Sequence, residues 1–166
     1  MTELVGREES QAELLALAAK VSDQIQIREI ILSKSSLSRT PDANTNDPDF
    51  EMNLEIPSYG AAKNEPNLLL SVLVNFRLRG HKSGSPVGEP AVEIDATYVI
   101  LYTIATFDGI DQENLDAFAG LNGIFNAWPF WREYVRDISA KMGLGSITIP
   151  VYRVTKAVIR NSPHSP

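Results

Sequence analysis

The chain has 166 residues, 43% of them hydrophobic and 22% charged, the size of one globular domain and too short for two. Its net charge of -6 argues against nucleic acid as a partner, which needs a basic face, and suits attraction of basic segments of other chains. With no cysteine, disulfides and thiolate metal sites are excluded, and a cytoplasmic location is expected. The amino terminus lacks the basic start and apolar run of a secretory signal, and no stretch is apolar for long enough to insert in a membrane.

Glu8 to Val21 has the spacing of an amphipathic helix, with Leu14, Leu17, Ala18 and Val21 on one side. Residues 1–20 are therefore expected to form a helical extension ahead of a domain at 21–156, with 157–166 as a flexible tail. Ile25 and Ile27 share one strand face, but Ile30 and Leu32 fall on the opposite phase, which predicts a bulge near Arg28 and Glu29. The Pro-, Asn- and Asp-rich stretch from Thr40 to Asp49 reads as a crossover loop. Phe50, Met52, Leu54 and Ile56 then alternate with Glu51, Asn53 and Glu55, the pattern of a strand that buries one face.

Asn67 to Arg79 is a third strand, and Gly80 to Pro90 a hairpin connection. Ala91 to Phe107 is a fourth strand, with Val92, Ile94, Ala96, Tyr98, Ile100, Tyr102 and Ile104 on one face. Val99, Leu101 and Phe107 make its far half apolar on both faces, so that half is expected to be covered twice. Asp111 to Leu121 reads as a short helix or turn. From Asn126, an amphipathic helix of about four turns is expected, with Pro129 in its first turn and Gly143 as the left-handed residue that ends it. A short extended segment follows from Ile147. Four antiparallel strands followed by helices give an α+β fold class.

The helix carries Trp131, Val135, Ile138 and Met142 at helical spacing, with Ala127, Phe130 and Tyr134 beside them. One small sheet does not need so broad an aromatic face, so part of it is expected to contact another chain. Chemistry is harder to find. The only histidines are His81, in the hairpin connection, and His164, in the tail; they are far apart and neither suits the base that a serine nucleophile needs, so neither a catalytic triad nor a metal or other cofactor is expected. The glycines at 143 and 145 end a helix rather than open a phosphate loop. Arg132 and Glu133 solvate the helix or pair between subunits; the enzymatic alternative makes Glu133 the base of a hotdog-like acyl-thioester enzyme. A non-catalytic adaptor module is a third reading.

Asn126, Pro129, Phe130, Arg132, Glu133, Gly143 and Pro150 resemble the signature of the SecB family of export chaperones. The run from Ile25 to Pro41 and the alternation from Phe50 to Ile56 resemble the upstream part of that family, so the resemblance covers roughly Val21 to Val154. It implies a four-stranded antiparallel sheet packed with a long C-terminal helix, here preceded by an N-terminal helix. It also implies ATP-independent holding of unfolded polypeptides, for export or for an antitoxin, with no catalytic step.

By that resemblance Phe50, Met52, Leu54, Tyr98, Ile100 and Tyr102 would line a groove for the unfolded chain. Trp131, Tyr134, Val135 and Ile138 would lie in the contact of a homotetramer built as a dimer of dimers. The family's acidic SecA-binding positions correspond to Ser35, Arg39 and Ile100, and its cysteine-containing zinc tail has no counterpart. These departures remove the basis for carrying SecA delivery over. The usual acidic-aromatic second helix is also missing after Pro150.

Overall fold

The structure, a computed structural model, describes residues 2–82 and 89–153, with side chains from residue 10 onward. The core of the hairpin connection (83–88), the expected tail (157–166) and His164 lie outside the described residues. Helix α1 (Thr2–Ser22) precedes strands β1 (Ile25–Arg39), β2 (Phe50–Asn64), β3 (Leu69–Lys82) and β4 (Val92–Ile104). Helix α2 (Gln112–Phe118), a π-helical turn (Ala119–Gly123) and helix α3 (Ile124–Lys141) complete it. The strands form one antiparallel sheet in the order β1-β4-β3-β2, the expected α+β architecture.

The period-2 pattern decides which face is covered. Leu70, Val72, Val74, Phe76 and Leu78 of β3 and Val92, Ile94, Ala96, Tyr98, Ile100, Tyr102 and Ile104 of β4 are buried on the face that the helices cover. Each Val, Leu, Ile or Phe side chain among them contributes roughly 1.5–3 kcal/mol by leaving water. On the opposite face lie Val99 and Leu101, half-buried beside exposed Leu73 and Ile31. That face ends in a cross-strand ladder, with Arg77 paired to Asp95 at 2.9 Å and Arg79 to Glu93 at 2.7 Å.

The phase change in β1 has the cause expected: the register with β4 shifts between Ile27 and Glu29. This bulge brings Ile25, Ile27, Ile30 and Leu32 to one face, opposite Ile104, Tyr102, Ile100 and Tyr98. The register with β4 shifts again between Leu32 and Lys34; a further irregularity, between Glu55 and Ser58 of β2, contains Pro57, which cannot donate to a ladder and is tolerated at a sheet edge.

Helix α2 starts at a capping box. The Asp111 carboxylate accepts from the Asn114 backbone at 3.0 Å, and the Asn114 side chain accepts from the Asp111 N–H at 3.1 Å. The chain then stays helical through the π turn into α3, so Pro129 lies inside a helix rather than in its first turn. The ring removes the bond that the Phe125 carbonyl would have accepted, and Phe125 and Pro129 are both exposed, where solvent replaces it. Gly143 has the left-handed φ of 68° expected at the helix end.

Helix α1 packs on α2 and the π turn rather than standing clear of the domain. Val21 is 0% and Ala18 2% exposed within the core, with Leu14 and Leu17 against it, and the buried Asn114 amide donates to the Leu17 carbonyl at 3.3 Å. The Gln24 carbonyl accepts from Ala105 at 2.9 Å, tying the end of α1 to the end of β4.

Candidate functional site

Two apolar depressions flank α3, one toward each edge of the sheet. Both have the same origin: along this part of the sheet α3 lies over β3 and β4 but is too narrow to reach over the edge strands as well.

On the β2 side, a groove of about 470 Å³ is lined by Leu54 and Ile56 of β2, Trp128 of α3, and Pro150, Val151, Tyr152 and Arg153. The alternation of β2 turns Leu54 and Ile56 toward the helices, while Glu55 on the other face approaches Arg79 at 3.9 Å. The irregular segment 147–153 forms the outer wall. Trp128 anchors the groove floor, edge-on to Phe76 at 5.6 Å and tilted against Tyr152 at 4.9 Å. Burial pushes the Tyr152 phenol up to about 12, with a smaller contribution from Tyr59, and its hydroxyl has no hydrogen-bond partner among the described residues.

The wall's upstream end is fastened to the crossover loop. Arg39 donates to the Met142 and Ala43 carbonyls and Thr45 to the Leu144 carbonyl. Arg39, one of the three positions that the resemblance equates with acidic SecA contacts, thus holds a guanidinium occupied with carbonyls of the crossover loop and of the end of α3. Of the other two such positions, Ile100 is fully buried and Ser35 is exposed on β1.

On the β1 side, a trough of about 660 Å³ is lined by Ile30, Leu32, Tyr98, Phe130, Tyr134 and Ala140, with Glu133, Arg136 and Asp137 at its rim. The Tyr98 hydroxyl donates to the Phe130 carbonyl at 3.2 Å, and burial raises its pKa. Beside the trough, Ile27 is 50% exposed, Leu32 41% and Leu37 42%, an apolar row on an uncovered edge strand.

The structure divides the sequence-based site residues. Leu54 lines the β2 groove; Phe50 and Met52 share its strand face but fold over Gly80, further along β2. Tyr98, Ile100 and Tyr102 lie under the helices, at 4%, 0% and 0% exposure. Tyr102 packs edge-on to Phe118 at 5.3 Å and accepts from the Asn126 amide at 3.0 Å. Strand periodicity groups these three on a face but does not reveal that a helix closes it.

The same correction applies to α3. Trp131 and Val135 are 0% exposed, because Trp131 stacks on Phe76 at 5.5 Å inside the protomer. The uncovered surface carries Phe130, Tyr134 and Ile138 instead. Glu133 is exposed at the rim of the trough. Val151 and Tyr152 carry no sequence signal as client contacts, since their wall is irregular and has no period, whereas Ile56 continues the alternation of β2. Among the described residues no acidic or histidine cluster could hold a metal, and no helix is long and apolar enough to cross a membrane.

This arrangement has a solved counterpart. The SecB-like chaperone Rv1957 of Mycobacterium tuberculosis, in complex with a ChAD peptide from the Rv1956 HigA1 antitoxin, matches with a TM-score of 0.74 at 20% identity, covering 84% of this chain and 99% of that one. The chain has the SecB-like fold. A protein of unknown function from Streptococcus agalactiae matches at a TM-score of 0.38 and 7% identity, covering 76% of this chain and 97% of that one; a likeness so weak carries no argument. No family model and no curated protein matches the sequence. Within the SecB-like fold of this chain, the β2 groove and the β1 trough are distinct surfaces on opposite sides of α3.

Proposed function

We propose that the protein is an ATP-independent chaperone that holds extended, non-native polypeptide in the β2 groove, an antitoxin being one fitting client. The observation that carries this is an open apolar groove on a SecB-like fold, walled by Leu54, Ile56, Trp128, Val151 and Tyr152. Val151 is 67% exposed, an arrangement that costs free energy unless something covers it. The antitoxin peptide bound by the neighbour of the same fold supports a polypeptide as that cover. Phe50 and Met52 continue the apolar stripe along β2, so a client crosses several weak subsites and binds with tolerance of sequence.

Assembly uses the other side of α3. The apolar inner face of β1, with Tyr134 and Phe130 across the trough, supports contact between copies. An isologous pairing of two β1 edges covers both, and Tyr134 and Ile138 lie where a second such contact forms the tetramer. The protein acts in the cytoplasm, without cofactor or chemical step.

The test is prevention of aggregation. An unfolded client diluted into buffer with a stoichiometric amount of the protein and no nucleotide stays clear, and light scattering on a size-exclusion column finds it with an oligomer of the protein. Aggregation as fast as in buffer rejects the proposal.

A further inference from the structure

The outer wall of the groove stands outside the sheet. Residues 147–153 belong to no strand, and their carbonyls are held by side chains. On α3, the Trp128 indole N–H donates to the Pro150 carbonyl at 2.9 Å and the Arg132 Nε–H to the Ile149 carbonyl at 2.8 Å. These donors are four residues apart and so lie on one side of the helix, a turn from each other. The upstream side of the wall has a weaker tie, the Ile147 N–H to the Ser139 hydroxyl at 3.4 Å. Further upstream, Gly143 and Gly145 take left-handed φ values of 68° and 78°.

In a ladder, loss of one bond leaves neighbours that hold the strand in register. Here each bond belongs to a different side chain, and past Pro150 the wall is held by packing of Tyr152 against the core, its ring 4.9 Å from that of Trp128. We propose that Trp128 and Arg132 are positioning residues that latch the wall shut, so that the strength of this latch sets how long a client is held. The inference rests on the reading of the groove as the client site. It gives the Trp128 and Arg132 N–H groups one shared task. A single hydrogen bond of ordinary net strength corresponds to about a five- to tenfold change in rate.

Two variants separate latch from packing. Trp128→Phe keeps an aromatic ring between Phe76 and Tyr152 but removes the N–H; Arg132→Met keeps much of the side-chain length but removes the donors. Each is compared with the wild-type full chain by amide exchange and by release of fluorescein-labelled, reduced and carboxymethylated α-lactalbumin. The latch predicts faster exchange at Val151, Tyr152 and Arg153 in both variants and unchanged exchange across β3 and β4; release about five- to tenfold faster with little change in association is read from Arg132→Met, because Arg132 lies outside the groove lining whereas Trp128 is part of it. Arg132→Lys, which retains a donor, recovers part of the effect.

Unchanged exchange in the wall of both variants overturns the latch. Faster exchange with unchanged release overturns its control of holding time. If the wild-type protein does not bind the probe while the variants still loosen the wall, the chaperone reading fails and the latch stands as structure. Should Trp128→Phe fail to fold, Arg132→Met decides the matter, because Arg132 is only half-buried.

Discussion

Gly123 sits so close to Val72 that a Cβ placed on it would lie 2.5 Å from the Val72 Cγ1. The π turn therefore meets β3 almost backbone to side chain, and this close approach seats the following helix on the sheet. In an open helix, Gly to Ala is favourable by about 1 kcal/mol; here overpacking reverses the sign. Gly123→Ala is expected to destabilise by ~1–3 kcal/mol in urea denaturation, and Val72→Ala in the same chain to recover part of that loss. Gly120→Ala, whose Cβ meets the Tyr59 ring at 3.0 Å, costs less because a ring edge yields more easily.

Trp131 is fully buried, yet its indole N–H has no hydrogen-bond partner among the described residues. A buried donor left unpaired costs about 1–3 kcal/mol. Trp131→Phe removes that donor and keeps an aromatic ring over Phe76, so its net effect on stability is expected to stay within about 1.5 kcal/mol. Trp131→Ala leaves a cavity and costs ~3–5 kcal/mol. Thermal and urea melts of the pair check the contrast.

The exposed inner face of β1 makes assembly separable from folding. Leu32→Lys and Ile27→Glu place charges at positions 41% and 50% exposed in the protomer, so the fold tolerates them while a contact between copies does not. Each is expected to weaken association by at least about tenfold, the loss of one apolar side chain from an interface. Sedimentation equilibrium gives the dissociation constants, and circular dichroism checks that the fold persists.

Three buried phenols set an alkaline limit. Burial raises the pKa of Tyr98 and Tyr102 and brings Tyr152 to about 12, whereas an unfolded tyrosine titrates near 10. The folded chain binds more protons than the unfolded chain over this interval, so stability falls as pH rises. The contribution is whole below pH 10 and for Tyr152 is lost progressively up to about pH 12. Urea midpoints measured from pH 8 to 11.5 are expected to drop from pH 10 upward, and less steeply in Tyr152→Phe.

Strand phase carried most of the fold into the sequence. The jump from Ile27 to Ile30 marked the first β1 bulge because both residues have to reach the covered face; the second register shift, between Leu32 and Lys34, lies in a run of polar residues that carries no such phase. The π turn left no comparable mark: the close approach of Gly123 to Val72 and of Gly120 to Tyr59 becomes visible only once the turn is set against the sheet. Pro129 suits a helix start by propensity, and only the capping box at Asp111 and Asn114 shows that the helix began earlier. For the site, the alternation from Phe50 to Ile56 led to one groove wall. The opposite wall, from Pro150 to Arg153, belongs to no strand, is tied by the Trp128 N–H at Pro150 and by the packing of Tyr152, and so has no period to detect.

The most direct test of the account places a photo-crosslinking benzoylphenylalanine at Leu54, inside the groove, or at Leu73, exposed on the opposite sheet face. Irradiation with unfolded, carboxymethylated α-lactalbumin is predicted to join client to the protein at position 54 and leave position 73 nearly unlabelled. Equal labelling at both positions, or labelling at 73 alone, would contradict the β2 groove as the site where clients are held.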